Sequence, residues 1–462
     1  KKMTAEILIV KQAYTGKVLA KLQMHDGAQV ESMLLTAQAL HKGGCLPAHE
    51  RIRVLQKLAE LVANEHEEFS RLIANEGGKP IRDARVEVTR AVDGIRIAIA
   101  EIQNIKGEEI LMDRSTAGAG REAFTIMEPI GVVVAVSAFN HPLNLAIHQA
   151  IPAIATGCPV IVKPAAVTPL CCLRLAELAE EAGLPKGWMQ VALTNRENSE
   201  KLVTDSRVAF FSFIGSAKVG WYLKSKLAPG TRCALEHGGV APLIFDQYKD
   251  EEGFVNGVVK ASMYHSGQVC VSVQRVYVPE GRDGEMAQKI ADIASKQVVG
   301  DAISEDSDLG PLILPKETDR IEAWVGDAIN EGATLITGGK RINEVSYEPT
   351  VLLNPSKSSK VSTQEIFGPV VCVYGYKDIN SAIEDANSLD VSFQSAVFSD
   401  DVSLAMDMAK KLEASAVMIN DYTTFRVDWM PFAGRKHSGY GIGGIGYTMR
   451  DMLEHKMIVI KS

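Results

Sequence analysis

The sequence lacks every cysteine pattern that marks a structural metal site or a disulfide framework. No two cysteines form a Cys-X-X-Cys pair, no histidine cluster has metal-ligand spacing, and the seven cysteines are an odd number. These absences predict a protein without a bound metal in a reducing compartment, the cytoplasm. The start, KKMTAEILIVKQAYTG, also lacks the long apolar run and the cleavage site of a secretory signal.

Positive charge is scarce as well. The 462 residues carry 49 Lys and Arg against 57 Asp and Glu, a formal net charge of −8. Nucleic acids and anionic membranes select basic surfaces, so we expect neither as a partner. The composition, 46% hydrophobic and 23% charged, is that of a soluble globular protein, and the length predicts two or three domains.

Charged residues are missing altogether between Pro129 and Val162. A stretch of this length raises the question of a transmembrane helix. Polar residues and prolines interrupt it, namely Asn140, His141, Pro142, Asn144, His148, Gln149, Pro152 and Pro159. We therefore interpret it as the buried interior of an α/β domain.

Hydrophobic periodicity predicts two α/β units in series. Residues 47–106 have helical spacing with a stop at Gly77 and Gly78. GVVVAVSA is continuously apolar, as buried parallel strands tend to be, and strand-like and helix-like segments then alternate twice along the chain. This alternation predicts doubly wound sheets, with a ligand cleft where the two units meet.

Two glycine-rich stretches compete for a phosphate-binding role. GYGIGGIG, residues 439–446, matches G-X-G-X-X-G but follows no strand and lies too near the C-terminus for a βαβ unit, so we predict only a tight loop. In FSFIGSAKVG a strand ends at Gly215 and Ser216, and a helix begins with Gly220 in its first turns. Helix N-terminal amides can hold a pyrophosphate. The absence of a following Lys-Ser/Thr pair excludes a P-loop kinase or ATPase.

Four further positions carry reactive or polar groups at strand ends, each with a plainer alternative. Lys163 ends the apolar strand of VIVKPAA, either as a ligand or as a surface lysine. Glu236 in LEHGG is a candidate base or a paired carboxylate. Asn140 in SAFNHPLN is an oxyanion donor or a turn residue. Cys270, where the turn of YHSGQ meets the strand-like VCVSVQRVYV, is a nucleophile or a small buried apolar residue.

In combination these motifs resemble the NAD(P)-dependent aldehyde dehydrogenase superfamily. The series FNHPLN, VKPA, FIGSAKVG, LEHGG, GQVC and QEIFGP has that family's order and approximate spacing, and MPFAGRKHSGYG resembles its C-terminal signature. The resemblance covers essentially the whole chain. It implies an α/β fold of two doubly wound Rossmann-like domains with a small β oligomerisation arm. The implied division assigns residues 1–106 and 128–235 to a cofactor-binding domain, 236–440 to a catalytic domain, and 107–127 and 441–462 to the arm.

The resemblance also implies the chemistry. Cys270 would attack the aldehyde as a thiolate, and Asn140 with the Cys270 amide would form the oxyanion hole. Hydride transfer would leave a thioester, which Glu236 would hydrolyse by activating water, and Glu236 would also assist thiol activation. Free thiols are only a few per cent ionised at neutral pH, which is why such assistance is expected.

The implied cofactor contacts are spread over three segments of the chain. Glu365 would bind the nicotinamide ribose with Phe367 beside the ring, Lys163 the adenosine ribose, and Ser216 the pyrophosphate. NAD-preferring members often carry Glu where this chain has Ala166. Because a carboxylate there repels a 2′-phosphate, we expect NADP to be accepted or even preferred over NAD.

The substrate is expected to be a small aldehyde, including semialdehydes or others that carry an acidic group. His141, Arg96 and Arg426 are the cations near the motifs, although structural ion pairs are the commoner role for arginine. Uncharged Val269, before the nucleophile, argues against a phosphorylated aldehyde.

Two rival functions remain at this point. A CoA-acylating dehydrogenase generally lacks the glutamate found here as Glu236, and a catalytically silent member would not need Cys270, Glu236 and Asn140 together. By analogy with the family the protein is a homodimer or homotetramer, with the arm adding an edge strand to a neighbouring sheet.

Overall fold

The computed structural model describes residues 6–461. The first five residues of the predicted cofactor-binding domain and the last residue of the predicted arm lie outside this range. Within it, the helices are α1 (Gly27–Lys42), α2 (Ala48–Asn64), α3 (His66–Gly77), α4 (Ile81–Ile102), α5 (Asn144–Thr156), α6 (Leu170–Glu181), α7 (Arg196–Thr204), α8 (Ala217–Lys224), α9 (Glu251–Met263), α10 (Asp283–Ala294), α11 (Pro315–Asn330), α12 (Lys360–Thr363), α13 (Ile379–Asn387), α14 (Val402–Lys411) and α15 (Ile445–Asp451). The strands are β1 (Ile7–Lys11), β2 (Val18–Gln23), β3 (Glu109–Ile110), β4 (Arg121–Pro129), β5 (Val132–Val136), β6 (Val160–Lys163), β7 (Met189–Val191), β8 (Val208–Ile214), β9 (Arg232–Glu236), β10 (Ala241–Phe245), β11 (Val273–Pro279), β12 (Thr334–Thr337), β13 (Thr350–Leu353), β14 (Val370–Tyr376), β15 (Val391–Ser392), β16 (Gln394–Phe398), β17 (Ala416–Ile419), β18 (Arg435–Lys436), β19 (Gly439–Tyr440) and β20 (Leu453–Lys461).

The first half of the chain contributes five strands to a six-stranded sheet in the order β19-β9-β8-β5-β6-β7, and β19 joins it from near the C-terminus. All neighbours pair in parallel except β19, which runs antiparallel to β9. Helices α5 and α6 follow β5 and β6 and pack their apolar faces in the same core. This is the doubly wound unit that the alternating pattern predicts.

The uncharged stretch forms the centre of this unit. Every residue of α5 is buried, including His148 and Gln149, which are hydrogen-bonded rather than solvated. None of the helices in residues 6–461 is both long and apolar enough to cross a membrane. The prediction of a buried α/β interior is therefore confirmed.

The second half forms a seven-stranded sheet in the order β12-β13-β14-β11-β10-β16-β17. It is parallel except for β12, which pairs antiparallel with β13. The predicted strands APLIFD, CVSVQRVYV and VVCVYGY correspond to β10, β11 and β14, which lie together in this sheet. Two Rossmann-like sheets in one chain confirm the predicted fold class.

A separate three-stranded sheet, β20-β4-β3, lies where the oligomerisation arm is expected. β20 pairs antiparallel with β4 over nine residue pairs, from Leu453 with Pro129 to Lys461 with Arg121. Apolar side chains along β20 stay exposed, among them Met457 at 54% and Ile460 at 51%. The strands of the arm thus pair within one chain, while apolar side chains on both faces of β20 remain exposed.

The glycine-rich stretch 439–446 differs from the predicted plain loop. Gly439 and Tyr440 form β19 and pair with Glu236 and Leu235 at the edge of the first sheet, and α15 begins at Ile445. The close approach needs glycine, because a Cβ on Gly439 would lie 2.6 Å from the Leu235 carbonyl oxygen. Residues 439–440, placed by prediction in the catalytic domain, therefore complete the other sheet.

Candidate active site

A cavity of about 1000 Å³ lies between the two large sheets. It is lined from the first unit by Asn140, Gly215, Ser216 and Glu236, which follow or end β5, β8 and β9. From the second unit its lining includes Cys270, Glu365 and Phe367. The carboxyl ends of parallel strands are where open α/β sheets bind ligands. The predicted junction cleft is confirmed.

The loop before Cys270 has an unusual backbone. His265, Ser266 and Gly267 all have positive φ, at 51°, 54° and 74°. For the two residues that carry a Cβ this conformation costs on the order of 1–3 kcal/mol each, so surrounding contacts must hold it. Ser266 Oγ donates to the Gly310 carbonyl at 2.6 Å. A Cβ on Gly267 would lie 1.9 Å from the Gly368 carbonyl oxygen, so this loop presses against the loop that carries Glu365.

Cys270 lies in a turn rather than in the strand that follows it. The turn is closed by the Ser272 amide, which donates to the Val269 carbonyl at 3.1 Å, and β11 begins only at Val273. The strand of the apolar run VCVSV therefore begins at Val273, four residues later than its β-branched pattern suggests. The thiol is left at the cavity wall, with the residue partly exposed.

Glu236, the last residue of β9, faces this thiol. Cys270 Sγ lies 3.7 Å from Glu236 Oε1 and donates to it. Burial, with the nearby Glu236 carboxylate, raises the pKa of Cys270 well above that of a free thiol. Burial also raises the pKa of Glu236, against the opposing effect of the Arg426 guanidinium. A carboxylate so placed can take the thiol proton or a proton from water.

Asn140 reaches across from the first unit to the nucleophile loop. Its Nδ2 donates to the Gln268 carbonyl at 2.9 Å, two residues before Cys270. The side chain of Gln268 is itself fixed: its Nε2 donates to the backbone carbonyls of His265 and Pro311, and its Oε1 accepts from the backbone amide of Ile313. An amide nitrogen carries two hydrogens, so Asn140 keeps a second donor beside the cavity.

A buried ion pair supports the segment that follows Asn140. Glu87 accepts hydrogen bonds from the Leu143 and Asn144 amides at 3.1 Å each and from Lys79 Nζ at 2.6 Å. Both charged side chains are almost fully buried, at 1% exposure or less. A pair with this many partners fixes the start of α5, and with it the position of the Asn140 turn.

Glu365 occupies the opposite side of the cavity. Burial raises the pKa of its carboxyl to about 8, with the Arg320 guanidinium opposing the shift. Its Oε1 has no hydrogen-bond partner in the described part of the chain. A Cβ on Gly238 would lie 1.8 Å from that oxygen, so the glycine forms a cradle for the carboxylate. Phe367 lies beside it, edge to face with Phe139 at 5.9 Å between ring centroids.

The predicted phosphate-binding turn joins β8 to α8, and Ser216 precedes the first helical residue. Gly215 and Ser216 line the cavity; Gly220 does not. Lys163 ends β6 and donates to the Pro164 carbonyl at 3.1 Å, and burial lowers its pKa. Together with the unpartnered oxygen of Glu365, this helix N-terminus gives the cleft the donors and acceptors that suit a dinucleotide.

Ala166 is exposed near Lys163, outside the cavity lining, which includes its neighbour Ala165 instead. The side chain at 166 thus ends in solvent near the lysine.

The three residues predicted to bind the substrate as cations differ in position and in charge. Arg426 lines the cavity and is half-buried, with its guanidinium 3.6 Å from the Phe432 ring centroid and its Nη2 3.5 Å from His148 Nδ1. Its Nε has no hydrogen-bond partner among residues 6–461. His141 also lines the cavity, but burial and the nearby Lys79 lower its pKa well below the ordinary value, so it is neutral and not a cation.

Arg96 does not reach the cavity. Its side chain is 64% exposed and lies 3.5 Å from Asp93 on the same helix. Arg90, which was not predicted, lines the cavity instead and forms a two-point ion pair with Asp428, at 2.8 and 3.2 Å. Six residues of α-helix turn the side chain through about 240°, so the two arginines of α4 face different sides. The helical phase of α4 was the signal that could have separated them.

Comparison with known proteins agrees with the geometry. The profile described as the aldehyde dehydrogenase family matches residues 2–458. The chain is 38% identical to the 3-sulfolactaldehyde dehydrogenase of Priestia aryabhattai over 458 residues, 99% of this chain and 95% of the relative. Among solved structures, it resembles aldehyde dehydrogenase 21 from Physcomitrella patens, crystallised in complex with the reaction product succinate. The sequences are 35% identical, the match covers 100% of this chain and 96% of that one, and the TM-score is 0.96. The glyceraldehyde-3-phosphate dehydrogenase of Methanocaldococcus jannaschii complexed with NADP is 32% identical, covering 99% and 100%, with a TM-score of 0.94. The chain therefore belongs to the aldehyde dehydrogenase family.

Proposed function

We propose that this NAD(P)-dependent aldehyde dehydrogenase oxidises a small aldehyde bearing an acidic group to the carboxylate, with Cys270 as nucleophile. The observation that carries the proposal is the single cavity in which the Cys270 thiol, the Glu236 carboxylate and the buried guanidinium of Arg426 meet. The thiol and the carboxylate supply the chemistry of acylation and hydrolysis. The guanidinium supplies a positive charge for the acidic end of the substrate.

The reaction begins when Glu236 takes the proton of Cys270 and the thiolate adds to the aldehyde carbon. The second amide hydrogen of Asn140 and the Cys270 backbone amide donate to the oxyanion that forms. Removing one such donor costs about 10²–10³ in kcat, or about 3–4 kcal/mol. Bound oxidised nicotinamide supplies the acceptor for the hydride.

Hydrolysis of the resulting thioester is the second task of Glu236. Once the proton taken from Cys270 has passed to solvent, its carboxylate takes a proton from a water molecule, the hydroxide adds to the thioester carbonyl, and the Cys270 thiolate leaves. A raised pKa suits this step, because a stronger base takes the proton more readily. A glutamate 3.7 Å from the thiol supports water, and not coenzyme A, as the acyl acceptor.

The cofactor is assigned to the cleft between the cavity and α8. Glu365 would hold the nicotinamide ribose with Phe367 beside the ring, Lys163 the adenosine ribose, and Gly215, Ser216 and the α8 N-terminus the pyrophosphate. NADP and NAD are both accommodated because no carboxylate stands at Ala166. The complex of the Methanocaldococcus jannaschii relative with NADP supports this assignment.

The acidic group of the substrate is assigned to Arg426. A buried guanidinium with a free donor pays a desolvation cost that an anionic ligand would offset. Arg90 lies in the same cavity, but its charge is already paired with Asp428. Two relatives are associated by name with acid-bearing small molecules, sulfolactaldehyde and succinate, which supports the same substrate class.

The assembly and location follow by analogy. The exposed apolar side chains of β20 support a homodimer or homotetramer in which the arm meets a neighbouring subunit. All seven cysteines are free, which supports a reducing compartment, the cytoplasm.

Matched aldehydes and one arginine variant test the function. We expect wild-type enzyme to favour succinate semialdehyde over butanal in kcat/KM with NADP or NAD, and Arg426→Gln to lower that ratio at least tenfold. Arg426→Lys, which keeps the charge, should retain part of the preference. A neutral aldehyde preferred by the wild type, or an equal loss on both substrates in Arg426→Gln, would contradict the acidic substrate. Full turnover by Cys270→Ala would contradict the mechanism itself.

A further inference from the structure

His237 is a buried polar residue with no part in the chemistry above. It follows Glu236 directly and is 2% exposed, and its backbone amide donates to the Ser438 carbonyl at 2.9 Å. Its position at the end of β9 therefore anchors the base-bearing strand to the segment that leads into β19. The side chain points away from this backbone contact, toward the turn between β8 and α8.

The imidazole bonds to the backbone of that turn. Its Nδ1 lies 2.9 Å from the Gly215 carbonyl oxygen. A carbonyl only accepts, so Nδ1 carries the hydrogen. Burial lowers the pKa of His237, so the ring is neutral and Nε2 keeps a lone pair. Nε2 is buried and has no hydrogen-bond partner within residues 6–461. One ring atom thus holds the turn, and the other is an unused acceptor.

Packing against neighbouring side chains fixes the position of the His237 imidazole. Its centroid lies 5.6 Å from that of Phe213 and 5.8 Å from that of Trp221, on β8 and α8 respectively. A Cβ on Gly220 would lie 2.0 Å from His237 Cε1, so the first turns of α8 can sit on the imidazole only because residue 220 is glycine. The helix whose N-terminus faces the cleft therefore rests on His237.

We propose that His237 is a positioning residue for the cofactor: it sets the Gly215–Ser216 turn and the α8 N-terminus for the pyrophosphate and ties them to the adjacent Glu236. The inference rests on the assignment of this turn to the pyrophosphate in the proposed function. In this proposal Gly220 leaves room for the His237 side chain and does not contact the ligand, a role that the glycine-rich motif did not suggest.

Two substitutions of similar size separate the hydrogen bond from packing. Asn places a donor at the position of His Nδ1, whereas Leu fills space without donating. Cofactor dissociation constants are measured by calorimetry in the absence of aldehyde, together with Tm. We expect His237→Leu to raise the Kd of NADP about fivefold or more, the equivalent of one neutral hydrogen bond, and His237→Asn to stay within twofold of wild type. The KM for the aldehyde should change little in either variant.

Equal lowering of Tm by both variants with unchanged Kd would overturn the inference, since it would show support of the fold alone. If the wild type binds neither NADP nor NAD, the pyrophosphate assignment itself fails. If the wild type binds the cofactor and His237→Leu binds it equally well, only the inference about His237 fails. If His237→Leu does not fold, Gly220→Ala serves instead. Its methyl should weaken binding in the wild type and much less in His237→Asn, which lacks Cε1. An equal cost in both backgrounds would again overturn the inference.

Discussion

The carboxylate of Glu236 lies 3.7 Å from the thiol of Cys270, although 34 residues of sequence separate them. One comes from the six-stranded sheet and the other from the turn before a strand of the seven-stranded sheet. The contact therefore exists only when both units are folded and docked, and it carries two proton transfers of the proposed reaction.

Glu236→Gln should separate the two halves of that reaction. The amide cannot accept a proton, so the first turnover should slow because Cys270 loses its base, and thioester hydrolysis should slow further, at least 10²-fold in steady state. The first turnover should still end with about one reduced cofactor per active site. Stopped-flow absorbance at saturating aldehyde measures both phases, and mass spectrometry of peptide 264–278 should detect the acyl group. Steady turnover at the wild-type rate, with no burst and no acyl group on that peptide, would contradict both roles of Glu236.

Gly238→Ala should weaken cofactor use without unfolding the protein. The added methyl would fall 1.8 Å from Glu365 Oε1, and the mobile end of that side chain would move away. Because Glu365 would then miss the ribose, we expect a rise of at least fivefold in cofactor KM. Gly284→Ala is the control, since its methyl meets only Leu353 at 4.0 Å.

A double-mutant cycle checks the cause. If Gly238→Ala acts through Glu365, it should add little in the Glu365→Ala background, where there is no carboxylate to displace. Additive losses would assign the effect to the backbone at Gly238 instead.

Glu365 should also make stability depend on pH. Its folded-state pKa is raised from 4.5 to about 8, so between these values the folded protein keeps a proton that the unfolded chain has lost. The free energy of unfolding of the wild type should therefore fall by about 1.4 kcal/mol per pH unit relative to Glu365→Gln, and level off above pH 8. Urea unfolding at pH 5, 6, 7 and 9 measures the difference. Glu252→Gln, at an exposed carboxylate, is the control; parallel curves for wild type and Glu365→Gln would refute the expectation.

Ala166→Glu should shift cofactor choice toward NAD. The introduced carboxylate would repel a 2′-phosphate held near Lys163, so kcat/KM with NADP should fall at least tenfold while the value with NAD changes little. Ala166→Gln controls for size. The premise itself fails if the wild type already shows a kcat/KM for NADP more than tenfold below that for NAD.

Local patterns were sufficient for the fold class and for most of the cavity. Apolar runs and helical periodicity predict β5, β6, β8 and their helices, and motif order brings Asn140, Glu236 and Cys270 to one place. What they could not predict depends on distant neighbours. The Arg90–Asp428 pair spans 338 residues, and the neutral state of His141 depends on burial and on Lys79. Likewise, glycine at 220 is needed because of the ring of His237, which no local pattern shows.

The pairing of β19 with β9 bears on how the chain is made. Gly439 lies opposite Glu236, so the edge strand that carries this carboxylate finds its partner only about 200 residues after its own synthesis. On the ribosome that edge stays open while the whole second unit emerges, and open strand edges invite wrong pairing. Nascent chains that stop short of residue 440 should thus be the form of this protein that most needs a chaperone.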